Sequence, residues 1–312
     1  MSYDVVCLGR PFLDLVLTGL PRLPEPGLEL TGDGLHVSAG GIANVGLGLS
    51  RLGLRTALLS PRGCDFAGRE IARMLAADNV DWLGPEDERG AVTIAVPIAG
   101  ERTMMTFDPG NHPPGPEELQ ALAPRAIVGD HPWLTVPGAR RYVGAGYEDA
   151  LAAKDDLAVV IGGGDTVIVN EIEAEILTGE PDPEAACRAL AAAVTTAVVT
   201  LGPRGALACS AGEQFACDAP AVEAVDTLGA GDLFNAAYIW ADLCGLSLPD
   251  RLRWAVLYAS LSVRVPTTVA GASRLHDLLD EGAARGLTVP ESLASQRVNP
   301  KEGAPDGSRQ AV

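Results

Sequence analysis

Short apolar runs alternate with stretches of helical periodicity along most of the chain. The run DVVCLG at 4–9 ends in glycine and is typical of a buried strand, and residues 42–52 then carry apolar side chains at helical spacing before Gly53. A second strand and a second helix follow at 56–60 and 66–77. This order of strand, helix, strand and helix predicts βαβ units and a mostly parallel sheet.

The same alternation resumes in the second half of the chain. We expect strands at 126–128, 157–161, 166–169 and 197–201, and a hairpin that pairs 206–210 with 214–217. We expect helices at 138–153, 171–177, 183–194, 231–244, 248–263 and 273–285. The fold class is therefore predicted to be α/β.

Two segments interrupt this alternation of strands and helices, because each contains strand-like stretches separated by turns. They cover about residues 15–37 and 89–108. We expect them to form a small sheet beside the main one, such as a lid, and the alternative is that they are edge strands of the main sheet. Because no interdomain linker is visible, residues 1–298 are predicted to form a single domain. The polar tail at 299–312 contains Pro and Gly and is expected to be disordered.

The charge balance excludes several classes of partner. The chain has 23 Lys and Arg against 41 Asp and Glu, which gives a net charge of −18. Such a chain is not expected to bind nucleic acid or an anionic membrane surface, because both need clustered basic residues. The N-terminus lacks a basic leader, and the six cysteines are scattered without a C-x-x-C pair. We therefore expect a cytoplasmic protein with reduced thiols.

The segment DTLGAGD at 226–232 carries the most informative chemistry. Glycine and alanine at 229–231 permit a tight turn that directs N–H groups outward, and the predicted helix that follows adds a partial positive charge. This combination predicts an anion hole for a transferring phosphoryl group. Asp232 at its edge is suited to accept a proton from an attacking hydroxyl group. The alternative is an ordinary turn in which Asp232 caps the helix.

Further polar residues occur where strands are predicted to end. Asn44 follows a glycine-rich loop and offers an amide suited to a polyhydroxyl ligand, and Asp14 after the first strand faces the same crevice. Glu173 in the segment NEIE is suited to hold a hydrated Mg²⁺. The glycine-rich strand end at 200–205 is suited to border a nucleotide. Taken singly, each of these is as readily a cap, a turn or a solvated loop residue.

Taken together and in this order, the segments resemble the ribokinase-like (PfkB) family of carbohydrate kinases. The matching residues are GGIAN at 40–44, GCDFAG at 63–68, NEIE at 170–173, TLGPRG at 200–205 and DTLGAGD at 226–232. The resemblance implies a three-layer α/β/α fold with a small β lid that often serves dimerisation, so a homodimer through the lid is expected. It also implies transfer of the ATP γ-phosphate to a hydroxymethyl group, with Mg²⁺ and often a monovalent cation such as K⁺.

The resemblance also implies roles for individual residues. The catalytic group is Asp232 as base, with Gly229, Ala230 and Gly231 as the anion hole. The substrate group is Asp14, Gly41 and Asn44. The group beside ATP is Asn170, Thr200, Gly202 and Gly205. The cation group is Glu173, which would bind Mg²⁺ through water, and Asp226, which would lie near the monovalent cation.

Two departures from the family pattern bear on the chemistry. Ile42 stands where ribokinase has a lysine, and Arg62 or Arg102 is a candidate to supply the missing positive charge near the γ-phosphate. The stretch from 133 to 170 is shorter than usual, and GGGD at 162–165 replaces a strand and loop. Part of the support for substrate or phosphate is therefore expected to differ.

The sequence predicts an ATP-dependent kinase that phosphorylates a sugar or a sugar-derived acceptor, and two alternatives stay open. The acceptor can be a nucleoside, whose 5′-hydroxyl offers the same chemistry and whose base could stack on Phe12. The chain can also be a non-catalytic sugar-binding regulatory protein, although the retained Asp232 argues against it. A phosphosugar acceptor would need extra cations near Asp14 and Asn44, and none is evident locally in the sequence.

Overall fold

Short strands and helices alternate along the chain, as a computed structural model shows. The model describes residues 2–98, 101–110, 114–129, 131, 133–154, 156–157, 161–290 and 293. The strands are β1 (Val5–Leu8), β2 (Pro11–Thr18), β3 (Gly34–Gly41), β4 (Thr56–Leu59), β5 (Arg62–Gly63), β6 (Asp81–Leu83), β7 (Glu86–Asp87), β8 (Ala91–Ile98), β9 (Glu101–Phe107), β10 (Ala126–Gly129), β11 (Arg140–Val143), β12 (Thr166–Asn170), β13 (Thr196–Thr200), β14 (Ala206–Ser210) and β15 (Glu213–Cys217). The helices are α1 (Ile42–Arg51), α2 (Phe66–Ala77), α3 (Pro116–Ala121), α4 (Tyr147–Ala153), α5 (Glu171–Thr178), α6 (Pro183–Ala191), α7 (Ala230–Leu243), α8 (Leu248–Ser262), α9 (Thr268–Gly271) and α10 (Leu275–Ala284).

The central sheet contains nine strands in the order β15-β14-β13-β12-β11-β10-β1-β4-β6. The strands from β13 to β6 are parallel, and β14 and β15 add an antiparallel edge. Strand β1 has core on both of its faces, because Val5 and Cys7 pack in one apolar cluster and Val6 and Leu8 pack in another. Strands that are buried on both sides are typical of parallel sheets covered by two layers of helices. The expected three-layer α/β/α arrangement is confirmed.

The predicted lid is a separate four-stranded sheet in the order β3-β2-β8-β9. It was expected at about 15–37 and 89–108, but β2 already begins at Pro11 and β3 runs from Gly34 to Gly41. Asp14 therefore lies inside a lid strand and not in a loop after the first strand. The glycines at 40 and 41 end a strand and do not form a loop, since they pair in register with Phe12 and Pro11.

Two predictions between residues 138 and 161 differ from what the described residues show. The expected helix at 138–153 contains the strand β11, whose Tyr142 and Val143 are buried, and only its last part is helical, as α4. Most of the expected strand at 157–161 lies outside the described residues, since only Leu157 and Ile161 are described, and both are helical. Strand β12 pairs directly with β11. Apolar residues in this region are spaced too irregularly for the pattern to separate helix from strand.

Two further predictions concern the tail and the number of domains. The tail at 299–312 lies outside the described residues, and the single-domain prediction stays a prediction. None of the helices in the described ranges is long and apolar enough to span a membrane.

Candidate active site

A pocket of about 920 Å³ lies at the carboxyl ends of the central strands. Its lining includes the last residues of five neighbouring strands: Leu8, Gly129, Val143, Asn170 and Thr200. Ligands of open parallel sheets bind at this edge. The lid contributes Phe12 and Gly41, and helix α7 contributes Gly231 and Asp232.

Asp232 lies in the first turn of α7, behind a residue in left-handed conformation. Gly229 caps the helix with φ at 68°, and a side chain there would collide with Thr268, because a Cβ atom would lie 2.2 Å from its Oγ1. Asn44 Nδ2 donates a hydrogen bond of 2.9 Å to Asp232 Oδ2. Burial raises the pKa of Asp232 to about 6, and the hydrogen bond from Asn44 acts in the opposite direction. The turn thus holds a carboxylate that is a stronger base than a solvated one.

Asp226 holds this turn against the segment that precedes α9. Its Oδ1 accepts a hydrogen bond from the N–H of Leu228 at 2.9 Å, and its Oδ2 accepts one from the N–H of Thr267 at 3.0 Å. The hydroxyl of Thr268 donates to the carbonyl of Leu228 at 2.7 Å. These bonds fix the start of α7, so Asp226 has a visible positioning role in addition to the cation contact that the sequence predicts.

Asp14 lies on the face of the lid that is turned toward Asp232. It is only 5% exposed, and burial together with the negative charge of Asp232 raises its pKa to about 7, while a hydrogen bond with Thr93 acts to lower it. Gly40 on the paired strand makes room for this carboxylate, because a Cβ atom there would lie 2.1 Å from Asp14 Oδ2. The glycine thus permits the close approach of a buried carboxylate.

Asn170 and Glu173 form the N-terminal cap of α5. Asn170 Oδ1 accepts from the N–H of Glu173, and Glu173 Oε2 accepts from the N–H of Asn170, both at 2.9 Å. Burial raises the pKa of the half-buried Glu173 carboxyl, the bonds with Asn170 lower it, and the charges of Asp149 and Asp232 raise it further. This side of the pocket therefore holds excess negative charge that a cation would relieve.

The structure brings most of the predicted site residues together. Those that line the pocket are Gly41, Asn170, Glu173, Thr200, Gly231 and Asp232. Asn44 reaches it through Asp232, and Asp14 lies close enough to Asp232 to be affected by its charge. Gly202 and Gly205 belong to a 3₁₀ turn after β13 and are not part of the pocket lining.

Two arginines were proposed to replace the missing lysine, and one of them, Arg62, is not part of the lining of this pocket. Arg62 lies in β5 and lines a separate groove between α2 and the β4–β6 edge of the sheet. The side chain of Arg102 lies outside the described part of the structure. Two residues of the site were not predicted from the sequence. Arg10 lines the active-site pocket, and Asp149 caps α4 beside Glu173. Arg10 carries one sequence signal, since it precedes Asp14 by four residues and therefore shares its face in an extended chain.

Comparison with known proteins finds relatives that match this sequence along most of its length. The model of the pfkB family carbohydrate kinase matches residues 3–131 and 139–274. The ribokinase of Mus musculus is 30% identical over 302 residues, covering 88% of this chain and 93% of the relative. The ribokinase of Haemophilus influenzae is 25% identical over 287 residues, covering 84% and 93%.

Solved structures share the fold at lower sequence identity. The structure of Arabidopsis thaliana ribokinase complexed with ribose and ATP superposes with a TM-score of 0.74 at 22% identity, covering 90% of this chain and 98% of that one. A ribokinase of Thermotoga maritima gives a TM-score of 0.75 at 18% identity, covering 89% and 98%. With the family match over both halves of the chain, the expected fold and enzyme class are confirmed. The chain belongs to the pfkB family of carbohydrate kinases and is a sugar-kinase phosphotransferase.

Proposed function

We propose that this enzyme transfers the γ-phosphate of ATP to a hydroxymethyl group of a sugar or sugar-derived acceptor, with Asp232 as the general base. The observation that carries the proposal is the carboxylate of Asp232 at the start of α7, hydrogen-bonded to Asn44 and with its pKa raised to about 6. A base of this strength accepts a proton more readily than an ordinary carboxylate and is still ionised near neutral pH.

Asn44 links the acceptor to this base. Its Nδ2 is used by Asp232, whereas its Oδ1 is buried and has no hydrogen-bond partner among the described residues. A buried oxygen atom without a hydrogen-bond donor costs free energy. A hydroxyl group of the bound substrate, the phosphoryl acceptor, would donate a hydrogen bond to this oxygen. Asp14 would accept from a second hydroxyl, and together the two side chains would direct the hydroxymethyl oxygen toward Asp232.

The anion hole would act on the transferring phosphoryl group. The N–H groups of 229–231 lie at the positive end of α7, and a Cβ atom added at Gly231 would meet nothing within 4 Å. A phosphoryl group can therefore approach this backbone closely and share its developing charge with it. Asn170 and Thr200 at the ends of β12 and β13 would border the nucleotide.

The residues beside Asn170 fit Mg²⁺. The described residues contain no group of three or more His, Cys, Asp or Glu side chains that could hold a metal ion. Mg²⁺ in kinases, however, needs only one or two carboxylates, because water and phosphate oxygens complete its shell. Glu173 would hold it through water, and its raised pKa among neighbouring carboxylates agrees with a site made for a cation. When bound, the ion neutralises charge on the phosphates.

The lid is proposed to form a homodimer through its outer face. In the strand register, Leu15 lies between Val37 and Ile94, and Ile94 pairs with Met105. These side chains share one face, opposite to that of Asp14. The most exposed apolar residues of this face are between 40 and 64% exposed: Leu35, Val37, Ile94, Met105 and Phe107. A continuous apolar sheet face of this kind is typical of an interface.

A coupled assay of ADP release tests the proposed function. Wild type would be tested with Mg-ATP on sugars, sugar acids, sugar phosphates and nucleosides. We expect Asp232→Asn to lower turnover by several orders of magnitude and to leave ATP binding within a few-fold, because the base acts only in the transition state. Asp277→Asn, an exposed carboxylate of α10, is the matched control and should behave as wild type.

Three results would contradict the proposal. Near-wild-type turnover of Asp232→Asn would remove the general base from the mechanism. Binding of a sugar without ADP release, in a wild-type protein that also binds ATP, would favour the regulatory alternative. Phosphorylation of nucleosides alone would move the acceptor to the other class.

A further inference from the structure

One arginine is buried in the wall of the active-site pocket. Arg10 lies between β1 and β2, and its side chain is only 7% exposed. Its Nε lies 2.9 Å from Oδ1 of Asp108, an aspartate that follows the last lid strand and is 45% exposed. Nη2 of Arg10 is buried and has no hydrogen-bond partner within the described ranges of the chain. The pocket therefore contains a desolvated guanidinium group with unused donors.

Arg10 lies on the side of the pocket where the acceptor is expected. Its carbonyl oxygen accepts from the N–H of Ile42 at 3.4 Å, next to the pairing of Pro11 with Gly41. Counted along this extended segment, Arg10 and Asp14 are four residues apart, and side chains at even spacing share a face. The guanidinium group thus belongs to the same wall as the carboxylate that is proposed to bind acceptor hydroxyls.

The charge around the pocket makes Arg10 unusual. Among the described residues that line it, Arg10 is the only arginine or lysine, while four carboxylates also line it: Asp108, Asp149, Glu173 and Asp232. Sugar hydroxyl groups bind well to neutral amides and to carboxylates and do not require a buried cation. A carboxylate or phosphate group gains charge-assisted hydrogen bonds from a cation, and the planar fork of arginine matches both.

We propose that Arg10 binds an anionic group of the acceptor, so that the natural acceptor is a sugar acid or a sugar phosphate and not a neutral sugar. This proposal rests on the proposed kinase function and names its substrate class. Arg10 would also supply the extra cation that a phosphosugar acceptor needs near Asp14 and Asn44. Asp108 neutralises Arg10 in the absence of ligand and would compete with the anionic group for it.

Calorimetric titration of the wild-type enzyme tests this preference without requiring turnover. The probes are matched pairs: glucitol with gluconate, and fructose with fructose 6-phosphate, each titrated without nucleotide and with saturating ADP. Charged hydrogen bonds of this kind typically change affinity by roughly 10- to 100-fold, so we expect the anionic member of at least one pair to bind at least about tenfold more tightly. The two pairs separate a carboxylate from a phosphate. Equal or weaker binding of the anionic member in both pairs overturns the proposal.

Three variants assign the preference to Arg10. Arg10→Gln should weaken binding of the anionic probe roughly 10- to 100-fold. It should change the affinities for the neutral probe and for ATP by no more than about twofold. Asp108→Asn should tighten the anionic probe, because it removes the competing carboxylate. Arg73→Gln, which makes the same change of charge at an exposed site on α2, is the control. If Arg10→Gln does not fold, Arg10→Lys keeps the charge without the fork and should retain part of the preference.

The outcomes separate this proposal from the proposed function. If Arg10→Gln raises the KM for ATP and leaves the affinity for the anionic probe unchanged, Arg10 binds the transferring phosphate and the proposal is overturned. A preference for the anionic probe that survives Arg10→Gln would overturn it as well. Binding of the anionic probe that depends on Arg10, without ADP release on any acceptor, would support Arg10 as the anion site while the kinase function fails.

Discussion

At the scale of single residues, the protonation of Asp232 determines the pH range in which it can act as a base. Burial raises the pKa of this carboxyl to about 6. A general base must be ionised, so we expect kcat/KM to fall about tenfold per pH unit as the pH drops below this value and to reach a plateau above it. Replacing Asn44 by alanine removes the hydrogen bond that favours the ionised form, so the acid limb should move to higher pH.

Asp14 complicates this profile and also provides the control. Its pKa is raised to about 7, so it titrates in the same range and the two carboxyls give apparent values for the pair. In an Asp14→Asn background the remaining acid limb belongs to Asp232 alone. The measurement is kcat/KM from pH 4.5 to 9 in each variant. An acid limb at the same pH with and without Asn44 would contradict the role of that hydrogen bond.

Gly229 and Gly231 are two residues apart and differ in the space around them. At Gly229, φ is 68° and a Cβ atom would lie 2.2 Å from Thr268 Oγ1, whereas at Gly231 it would meet nothing within 4 Å. We expect Gly229→Ala to lower the free energy of unfolding by roughly 1–3 kcal/mol and to lower turnover. Gly231→Ala should leave stability unchanged within about 0.5 kcal/mol, since alanine suits a helix, but should lower turnover by blocking the phosphoryl group.

Urea unfolding and ADP release, measured on both variants, separate these effects. The glycine-to-alanine change is the same in each, so side-chain chemistry alone cannot account for a difference. Equal losses of stability in the two variants would contradict the assignment of strain to Gly229. Full turnover of Gly231→Ala would contradict a close approach of the phosphoryl group to this part of the helix.

At the scale of elements, helices and strands with a regular hydrophobic pattern could be predicted from the sequence. Elements that are stabilised by residues distant in the chain could not. Helix α2 runs from Phe66 to Ala77 as predicted, because Asp65 caps it locally by accepting from the N–H of Gly68. Strand β11 was not predicted because its first two residues are arginines, which usually indicate solvent-exposed positions. Their partners are remote in sequence: Arg140 forms an ion pair with Asp242, and the N–H of Arg141 donates to Asp165.

The glycine-rich segment before α1 was predicted as a loop for a similar reason. Glycines usually indicate turns, but here Gly40 continues β3 because the carboxylate of Asp14 on the paired strand occupies the space of a side chain. This reason is visible only when the two strands are paired. The lid itself was predictable from the strand-like pattern of its segments, while the exact start of β2 at Pro11 was not.

The apolar outer face of the lid leads to a prediction about assembly. We expect the wild-type protein to be a dimer and Ile94→Lys, at the centre of this face, to be a monomer, because a charge cannot be buried there without a partner. Sedimentation velocity at several protein concentrations measures the change. Leu151→Lys on α4 is the control, since this side chain is similarly exposed but lies outside the lid. A monomeric wild type, or a dimer that persists in Ile94→Lys, would contradict the lid interface.

At the scale of the whole molecule, the fold joins parts of the site that are far apart in the chain. Asn44 and Asp232 are hydrogen-bonded although 188 residues separate them. Both were predicted because their motifs have recognisable local sequences. Arg10 was not, because its significance comes from its burial, from its unused donor and from the lack of another arginine or lysine among the described residues of the pocket lining. None of these properties is encoded in a local pattern.

The net charge of the chain should influence the rate at which Mg-ATP binds. The sequence carries a charge of −18, and four carboxylates line the pocket. Mg-ATP is also an anion, so long-range repulsion should slow its approach, and the proposed anion hole would act only at short range. The Debye length shrinks from about 30 Å at 0.01 M salt to about 8 Å at 0.15 M. We therefore expect kcat/KM for Mg-ATP to increase as the ionic strength rises over this range, opposite to an enzyme that attracts its substrate electrostatically.

Two salts distinguish general screening from the predicted monovalent-cation site. Tetramethylammonium chloride changes the ionic strength but is too large to be coordinated closely by a carboxylate, whereas KCl also supplies K⁺. Asp226 is the carboxylate beside which this cation is predicted, and it holds the turn that begins α7 through the N–H groups of Leu228 and Thr267. A cation bound there would stiffen the anion hole, so KCl should raise kcat more than tetramethylammonium chloride at equal ionic strength. If both salts raise kcat/KM equally and leave kcat unchanged, screening accounts for the whole effect and the cation site is contradicted; if kcat/KM falls with either salt, the repulsion argument is wrong.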